Sequence, residues 1–213
     1  PMEHWLAVLR LAKQRFVNLR RVSCYAMASN VLEKSDEELA LLRSHGLSML
    51  YIGPESGDPH TLKRIAKGST HEDHVLAASR ARAAGMRLSV IVLLGIAGTA
   101  RSHEHATATA SLITGMDPTF FAALTTTVVP STPLMKLQTT GRFELPTIEG
   151  MLAELREIVL HANPTDAVFR TNHASNYLPL GGRLPRDRQQ IVALIDRALA
   201  GKIALRPEWS RGL

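Results

Sequence analysis

Apolar and polar positions alternate in two textures along this chain. In one, apolar residues recur every three or four positions: Trp5, Leu6, Val8, Leu9, Leu11 and Ala12 mark one side of a helix from about Glu3 to Gln14. In the other, short apolar runs stand between turn residues, at Arg21 to Ala28, Leu47 to Gly53, Leu88 to Gly95 and Phe120 to Val129, and these read as strands. Two of the strands are entered in the same way. Ser44-His45-Gly46 leads into Leu47 to Gly53, and Ala83-Ala84-Gly85 leads into Met86 to Gly95. A glycine just past a helix takes the left-handed conformation at little steric cost. An unbroken apolar run is what a parallel sheet covered on both faces requires. The recurrence predicts parallel β/α layering, with ligands bound where strands end, just after Gly53 and Gly95.

Helix starts are marked by side chains that satisfy first-turn amides. Ser35 with Glu38 forms a capping box ahead of a helix from Asp36 to about His45, and Ser69 with Glu72 repeats it ahead of Thr70 to Ala84. Asp58 to Lys67 reads as a short helix, and Ser102 to Thr114 as a longer one closed by Gly115. After Leu134 the pattern changes: a long helix over Thr147 to His161, a strand at Ala167 to Arg170, the polar segment Thr171 to Tyr177, and a last helix over Pro185 to Ala200. The remainder to Leu213 reads as extended. Residues 1–134 and 135–213 are therefore expected to form two layouts, the second packed on the first.

Composition narrows the function classes. The formal charge of +6 comes from arginines scattered singly along helices, so no nucleic-acid partner is expected. No run approaches the roughly 18 apolar residues of a membrane span, and no membrane partner is expected. The single cysteine, Cys24, excludes an internal disulfide and fits a reducing cytoplasmic location; it also excludes a self-contained multi-cysteine metal site. His71 with His74 and His103 with His105 lack the i, i+4 spacing of a helical zinc pair, and read as solvated helix caps. No metal ligand is assigned in this chain.

One run of residues carries a resemblance. Tyr51-Ile52-Gly53-Pro54-Glu55-Ser56-Gly57, Leu62 to Gly68, Ala84-Gly85, the Val90 to Gly95 strand and Val128-Val129-Pro130-Ser131-Thr132-Pro133-Leu134 follow one another in an order similar to the middle of radical S-adenosylmethionine (radical SAM) enzymes. The branch it resembles is the iron-sulfur oxidoreductases akin to oxygen-independent coproporphyrinogen III oxidase. The resemblance implies an α/β fold, a partial TIM-like (β/α)6 barrel of which this chain supplies parallel strands three to six plus a C-terminal α/β extension. It implies S-adenosylmethionine and a 4Fe-4S cluster as cofactors, and a 5′-deoxyadenosyl radical that takes hydrogen from a small-molecule organic substrate. Such enzymes hold their cluster on a Cys-x3-Cys-x2-Cys loop after the first strand. With Cys24 alone, and that inside a strand, this chain is expected not to build the cluster and to be inactive by itself. Because it opens at Pro1, it reads as a piece lacking the cluster-binding part.

The same resemblance places a cofactor wall. Glu55 matches a carboxylate or amide near the ribose or methionyl end, where it would accept from ribose hydroxyls, and Ser56 beside it would donate to the same ligand. Lys67 falls where relatives carry a base near the cofactor carboxylate, and Tyr25 where they place a polar contact. Ile91 to Gly95 would offer the adenine an apolar wall and open backbone groups, and Val128 to Pro130 main-chain bonds to its edge. Helix capping by Glu55, a turn at Ser56, a solvated Lys67 and strand-core packing of Tyr25 and Ile91 are the alternatives. His173, in the polar segment, is a candidate for substrate contact or proton handling, against a loop locked by its own hydrogen bonds. Two further readings stand beside the enzyme: a cluster-less β/α module that binds a ligand or partner, and a hydrolase on a complete barrel using His173. With two strands absent, Arg21 to Ala28 would be an open edge and a route to self-association.

Overall fold

A computed structural model describes residues 1–212. The chain runs α1 (Met2–Arg15), β1 (Val22–Tyr25), α2 (Ala28–Leu32), α3 (Asp36–Ser44), β2 (Leu47–Glu55), α4 (Pro59–Arg64), α5 (His71–Ala83), β3 (Arg87–Leu94), a 3-10 turn at Thr99–Arg101 and α6 (Ser102–Met116). It continues through β4 (Phe120–Thr125), α7 (Pro133–Thr139), α8 (Ile148–His161), β5 (Ala167–Arg170), β6 (Gly181–Leu184) and α9 (Arg188–Leu199), with a last 3-10 turn at Glu208–Ser210.

All six strands join one sheet in chain order, β1 to β6. The first five are parallel, and β6 returns antiparallel to β5. This is an α/β fold with a mostly parallel sheet, the partial-barrel architecture expected. Gly46 and Gly85 sit at φ +109° and +80°, so the left-handed helix exits read from the sequence are present. Residues 135–212 add β5 and β6 to the same sheet, while α8 packs on α6, α9 and β3.

Several local expectations are corrected. The box before α5 is formed by Thr70 and Asp73, not Ser69 and Glu72, because the Thr70 hydroxyl accepts from the Asp73 amide while Asp73 accepts from Thr70 N–H. Helix α6 passes through Gly115 and stops at Asp117, which itself takes the left-handed conformation at φ +46°. The fourth strand ends at Thr125 rather than Val129. Helix α7, capped by Thr132 with Pro133 in its first turn, and β6, opened by Gly181-Gly182, were hidden by residues that otherwise signal turns.

A larger correction concerns coverage of the sheet. Leu50, Ile52, Leu88, Val90, Val92, Phe121, Ala123 and Phe169 are buried under the helices. The opposite face carries Tyr25, Tyr51, Ile91, Leu93, Phe120, Ala122, Leu124 and Val168, all partly or largely exposed. The register sets Tyr25, Tyr51, Ser89, Phe120 and Val168 in one row across five strands. The strands are apolar on both sides, but only one side is fully packed.

Candidate functional site: a cleft at the ends of β1 to β3

On the open face, Tyr25, Ala26, Met27 and Asn30 from the β1 end meet Tyr51, Gly53 and Glu55 of β2, Ile91 of β3 and Lys67, around a cleft of about 300 Å³. Tyr25 and Tyr51 form its aromatic floor, with ring centroids 5.2 Å apart and a tilt of 32°. Tyr25 is 78% exposed, so its hydroxyl is free to meet a ligand.

Glu55 ends β2 in the left-handed region at φ +67°, where the pairing with β3 slips. For a residue with a Cβ such a conformation costs on the order of 1–3 kcal/mol, and it persists where the surroundings impose it. The imposed geometry folds the carboxylate back over the strand. A Cβ added at Gly53 would lie 2.4 Å from Glu55 Oε1, so a larger residue there would make the folded-back carboxylate shift. Lys67 donates to the same oxygen at 3.0 Å, both side chains retaining about a fifth of their exposure. Lys67 is brought over by the turn after α4, where Ala66 is left-handed and the Lys67 amide bonds to the Leu62 carbonyl. The result is an ion pair at the mouth of an apolar cleft, with carboxylate lone pairs and ammonium protons left for a ligand's hydroxyls and carboxylate.

Of the sequence candidates, the fold thus gathers Tyr25, Glu55, Lys67 and Ile91 around one cleft. Ser56 is a correction: one residue past Glu55 the chain turns inward, Ser56 is 0% exposed, and its hydroxyl pairs with His105 Nδ1 at 2.8 Å. Gly95 is another, because its N–H is not open but donates to Glu154 Oε2 at 2.6 Å, beneath Met151 and Leu145. Val128 is half-buried and Pro130 exposed in the segment after β4, and neither lines the cleft. His173 sits on the surface, its Nδ1 sharing a hydrogen with Ser175 Oγ at 2.9 Å and accepting from the Ser175 amide. Beside it, Asn176 donates to the carbonyls of Ala123 and Thr171 and ties that segment to the sheet.

The histidine reading is corrected in part. His74 and His105 are buried, not solvated. His74 Nδ1 lies 2.7 Å from the Thr70 carbonyl, and burial pushes its pKa down. His105 is held neutral, its pKa lowered to about 4 mainly by burial. Glu154, which no motif pointed to, is 2% exposed and accepts from Gly95 N–H and Ser102 Oγ. Burial raises its pKa to about 7, against the lowering effect of those two donors. A signal for Glu154 did exist: it shares the apolar stripe of α8 with Met151, Leu155 and Ile158, where a carboxylate has no surface reason to be.

Asp58, nearly buried, caps α4 through Thr61 and takes a two-pronged bond from Arg101 at 2.8 and 3.0 Å. Burial would raise its pKa, yet the Arg101 and Thr61 bonds win and hold it well below the usual carboxylate range. Among the described residues, no group of three or more His, Cys, Asp or Glu side chains is placed to hold a metal ion. Among them, too, no helix is long and apolar enough to cross a membrane.

Comparison with known proteins gives three kinds of likeness. A family model described as the Radical SAM superfamily matches residues 2–108. The chain is similar to the heme chaperone HemW of Bacillus subtilis (strain 168), 28% identical over 141 residues, which cover 65% of this chain and 36% of that protein. It thus spans about a third of the relative's length. In structure it resembles the Escherichia coli coproporphyrinogen III oxidase HemN at a TM-score of 0.58 and 14% identity, over 75% of this chain and 36% of that one. It also resembles methylornithine synthase PylB, at a TM-score of 0.52 and 15% identity, over 96% of this chain and 64% of that one. At these identities the two structures speak to the fold alone.

Proposed function

Since the chain belongs to the radical SAM superfamily, we propose that its cleft is the ligand wall for S-adenosylmethionine in an enzyme that abstracts hydrogen from a small organic molecule. The observation that carries this reading is the strained Glu55, folded over Gly53 and paired to Lys67 at the mouth of the Tyr25–Tyr51 cleft. The donor set fits the nucleoside and amino-acid ends of that cofactor. Glu55 accepts from hydroxyls, Lys67 pairs with a carboxylate, Ile91 packs on an apolar ring, and Tyr25 has a free hydroxyl. When bound, the cofactor would supply the adenosyl group used for hydrogen abstraction.

An iron-sulfur cluster does not fit these residues. It needs several thiolates, and the one cysteine, Cys24, lies half-buried in β1 with its pKa raised by burial. Radical chemistry is therefore not routed through this chain alone. Its own residues bind, orient and shield, while the open apolar face beyond Ile91 leaves room for the substrate.

Titration calorimetry with S-adenosylhomocysteine tests the reading without requiring turnover. The chain should bind it, and Lys67→Ala should weaken binding about tenfold, the equivalent of 1.4 kcal/mol. Equal affinity in Lys67→Ala, or no heat at millimolar ligand, would overturn it. Reconstitution with iron and sulfide should leave no four-iron absorption after desalting.

A further inference from the structure

Beneath the cleft, the segments leaving β2 and β3 are joined by buried polar bonds that nothing in the ligand reading uses. Ser56 Oγ pairs with His105 Nδ1 at 2.8 Å, and Thr109 Oγ1, 3.3 Å from the same nitrogen, accepts from Gly57 N–H at 2.9 Å. This contact is close enough that a Cβ at Gly57 would lie 2.2 Å from the Ala108 carbonyl oxygen. On the other side of the His105 ring, Nε2 is buried without a hydrogen-bond partner and lies 3.9 Å from Glu154 Oε2. Glu154 in turn holds Gly95 N–H at 2.6 Å and Ser102 Oγ at 2.7 Å. Arg101, in the segment after β3, also ties back to the segment after β2 by its two-pronged bond to Asp58.

We propose that Glu154 is a positioning residue: its carboxylate, backed by His105, fixes the segment from Gly95 to Ser102 against the segment from Ser56 to Asp58, and so sets the shape of the cleft above them. The effect on the ligand rests on the reading given under Proposed function, whereas the effect on the two segments does not. A main-chain N–H bonded to a carboxylate is a strong, short tie. Both oxygens of an ionised Glu154 are matched to donors. On protonation one oxygen must itself donate, so the tie to Gly95 or to Ser102 is weakened. Few other charges face this carboxyl. The titratable group opposite it on α6 is His105, which itself feels Asp58, paired with Arg101, and Arg64 of α4, bonded to the Ile96 carbonyl; β3 presents main chain; and the charges of the α8–α9 contact, Arg156 and Asp196, are paired with each other.

The test is amide exchange on the full chain, with rates corrected for intrinsic chemistry, at a series of pH values spanning 5 to about 9, the range over which a carboxyl of raised pKa changes charge. In the wild type, Gly95 exchanges by a local opening that breaks its bond while Glu154 stays buried; losing that donor raises the carboxyl's pKa further, so Gly95 protection should fall by about tenfold as pH drops across the range, with residues 47–52 of β2 unchanged. Glu154→Gln, which keeps one acceptor and cannot ionise, should show Gly95 protection that no longer depends on pH. Glu154→Leu should lose Gly95 protection at every pH. If Glu154→Leu does not fold, Ser102→Ala, which removes one donor and leaves the carboxylate, serves in its place and should move the wild-type midpoint upward. A wild-type pH dependence retained in Glu154→Gln, or protection lost evenly over the whole sheet, would overturn the proposal. S-adenosylhomocysteine affinity measured on the same variants separates the two claims: loss of Gly95 protection without any ligand binding, wild type included, refutes the cofactor reading and leaves the positioning role standing.

Discussion

The two faces of the sheet are built from the same strands and differ in what covers them. On the helix-covered face, Phe121 and Phe169 stack at 5.4 Å and are fully buried with Ile52, Leu88, Val90 and Val92. On the other, Tyr51, Ile91, Leu93 and Ala122 keep part of their surface in solvent although they are as apolar as their neighbours. One face supplies the burial that holds the domain together, roughly 25 cal/mol per Å² of apolar surface removed from water. The second face is then available for a ligand. On the proposed reading, its apolar character serves the ligand rather than packing within the chain.

The largest effect that should separate the faces is a deletion in the core. Phe121→Ala is expected to lower unfolding free energy by about 3–5 kcal/mol, whereas Leu93→Ala on the open face should lower it by only ~1 kcal/mol. Urea unfolding of the two variants checks this, and equal losses would mean that the open face is packed in solution.

Next in size is the pH dependence of the buried pair at the strand ends. Glu154, with its pKa raised to about 7, favours the native state at low pH, and that contribution is lost as pH rises from the ordinary carboxylate value of 4.5 through 7. His105, lowered to about 4, contributes in the opposite sense: its stabilisation is present above 6.5 and is lost as pH falls toward 4. The two trends run in opposite directions over the same pH window and offset, each being of the order of a few kcal/mol at about 1.4 kcal/mol per pKa unit. Unfolding curves of the wild type should therefore be nearly flat from pH 5 to about 6.5, those of Glu154→Gln should lose stability on acidification, and those of His105→Asn should lose it on alkalisation. Parallel curves for all three proteins would show that the pair is not coupled to folding.

A smaller effect sharpens the functional contrast. Glu55→Gly relieves the left-handed strain and should leave stability unchanged or raise it by up to ~1 kcal/mol, while abolishing the calorimetric response to S-adenosylhomocysteine. A variant that is both destabilised and still binding would place the strain in the service of the fold instead. The smallest expected effect concerns the sheet edge. Among the described residues β1 pairs only with β2, so weak, concentration-dependent self-association should be visible by light scattering and should be reduced in Tyr25→Lys. A monomer at every concentration would remove the edge as a contact.

How far the residues alone foretold this molecule differs from element to element. Helices α3, α8 and α9 and strands β2 and β3 were legible because a cap, a stripe or an apolar run is a local signal, and their ends came within a residue or a few. Helix α7 and strand β6 were not, since Pro133 and Gly181-Gly182 give the same local signal in a turn as in a helix start or an edge strand. In the site, Tyr25, Glu55, Lys67 and Ile91 stood out by resemblance and do share one cleft. Ser56, adjacent to Glu55, was misplaced because a one-residue change of direction after the strand sends it into the interior.

By itself the sequence determined the alternation of strands and helices, the left-handed exits at Gly46 and Gly85, and the family, because these depend on residues close together in the chain. Only the tertiary structure decided which face of each apolar strand is covered, that Glu55 folds back over Gly53 to reach Lys67, and that Glu154 meets Gly95 across 59 positions of sequence. Burial, strain and the protonation of a carboxyl are properties of what surrounds a group, and distant segments supply those surroundings only once the chain has closed on itself.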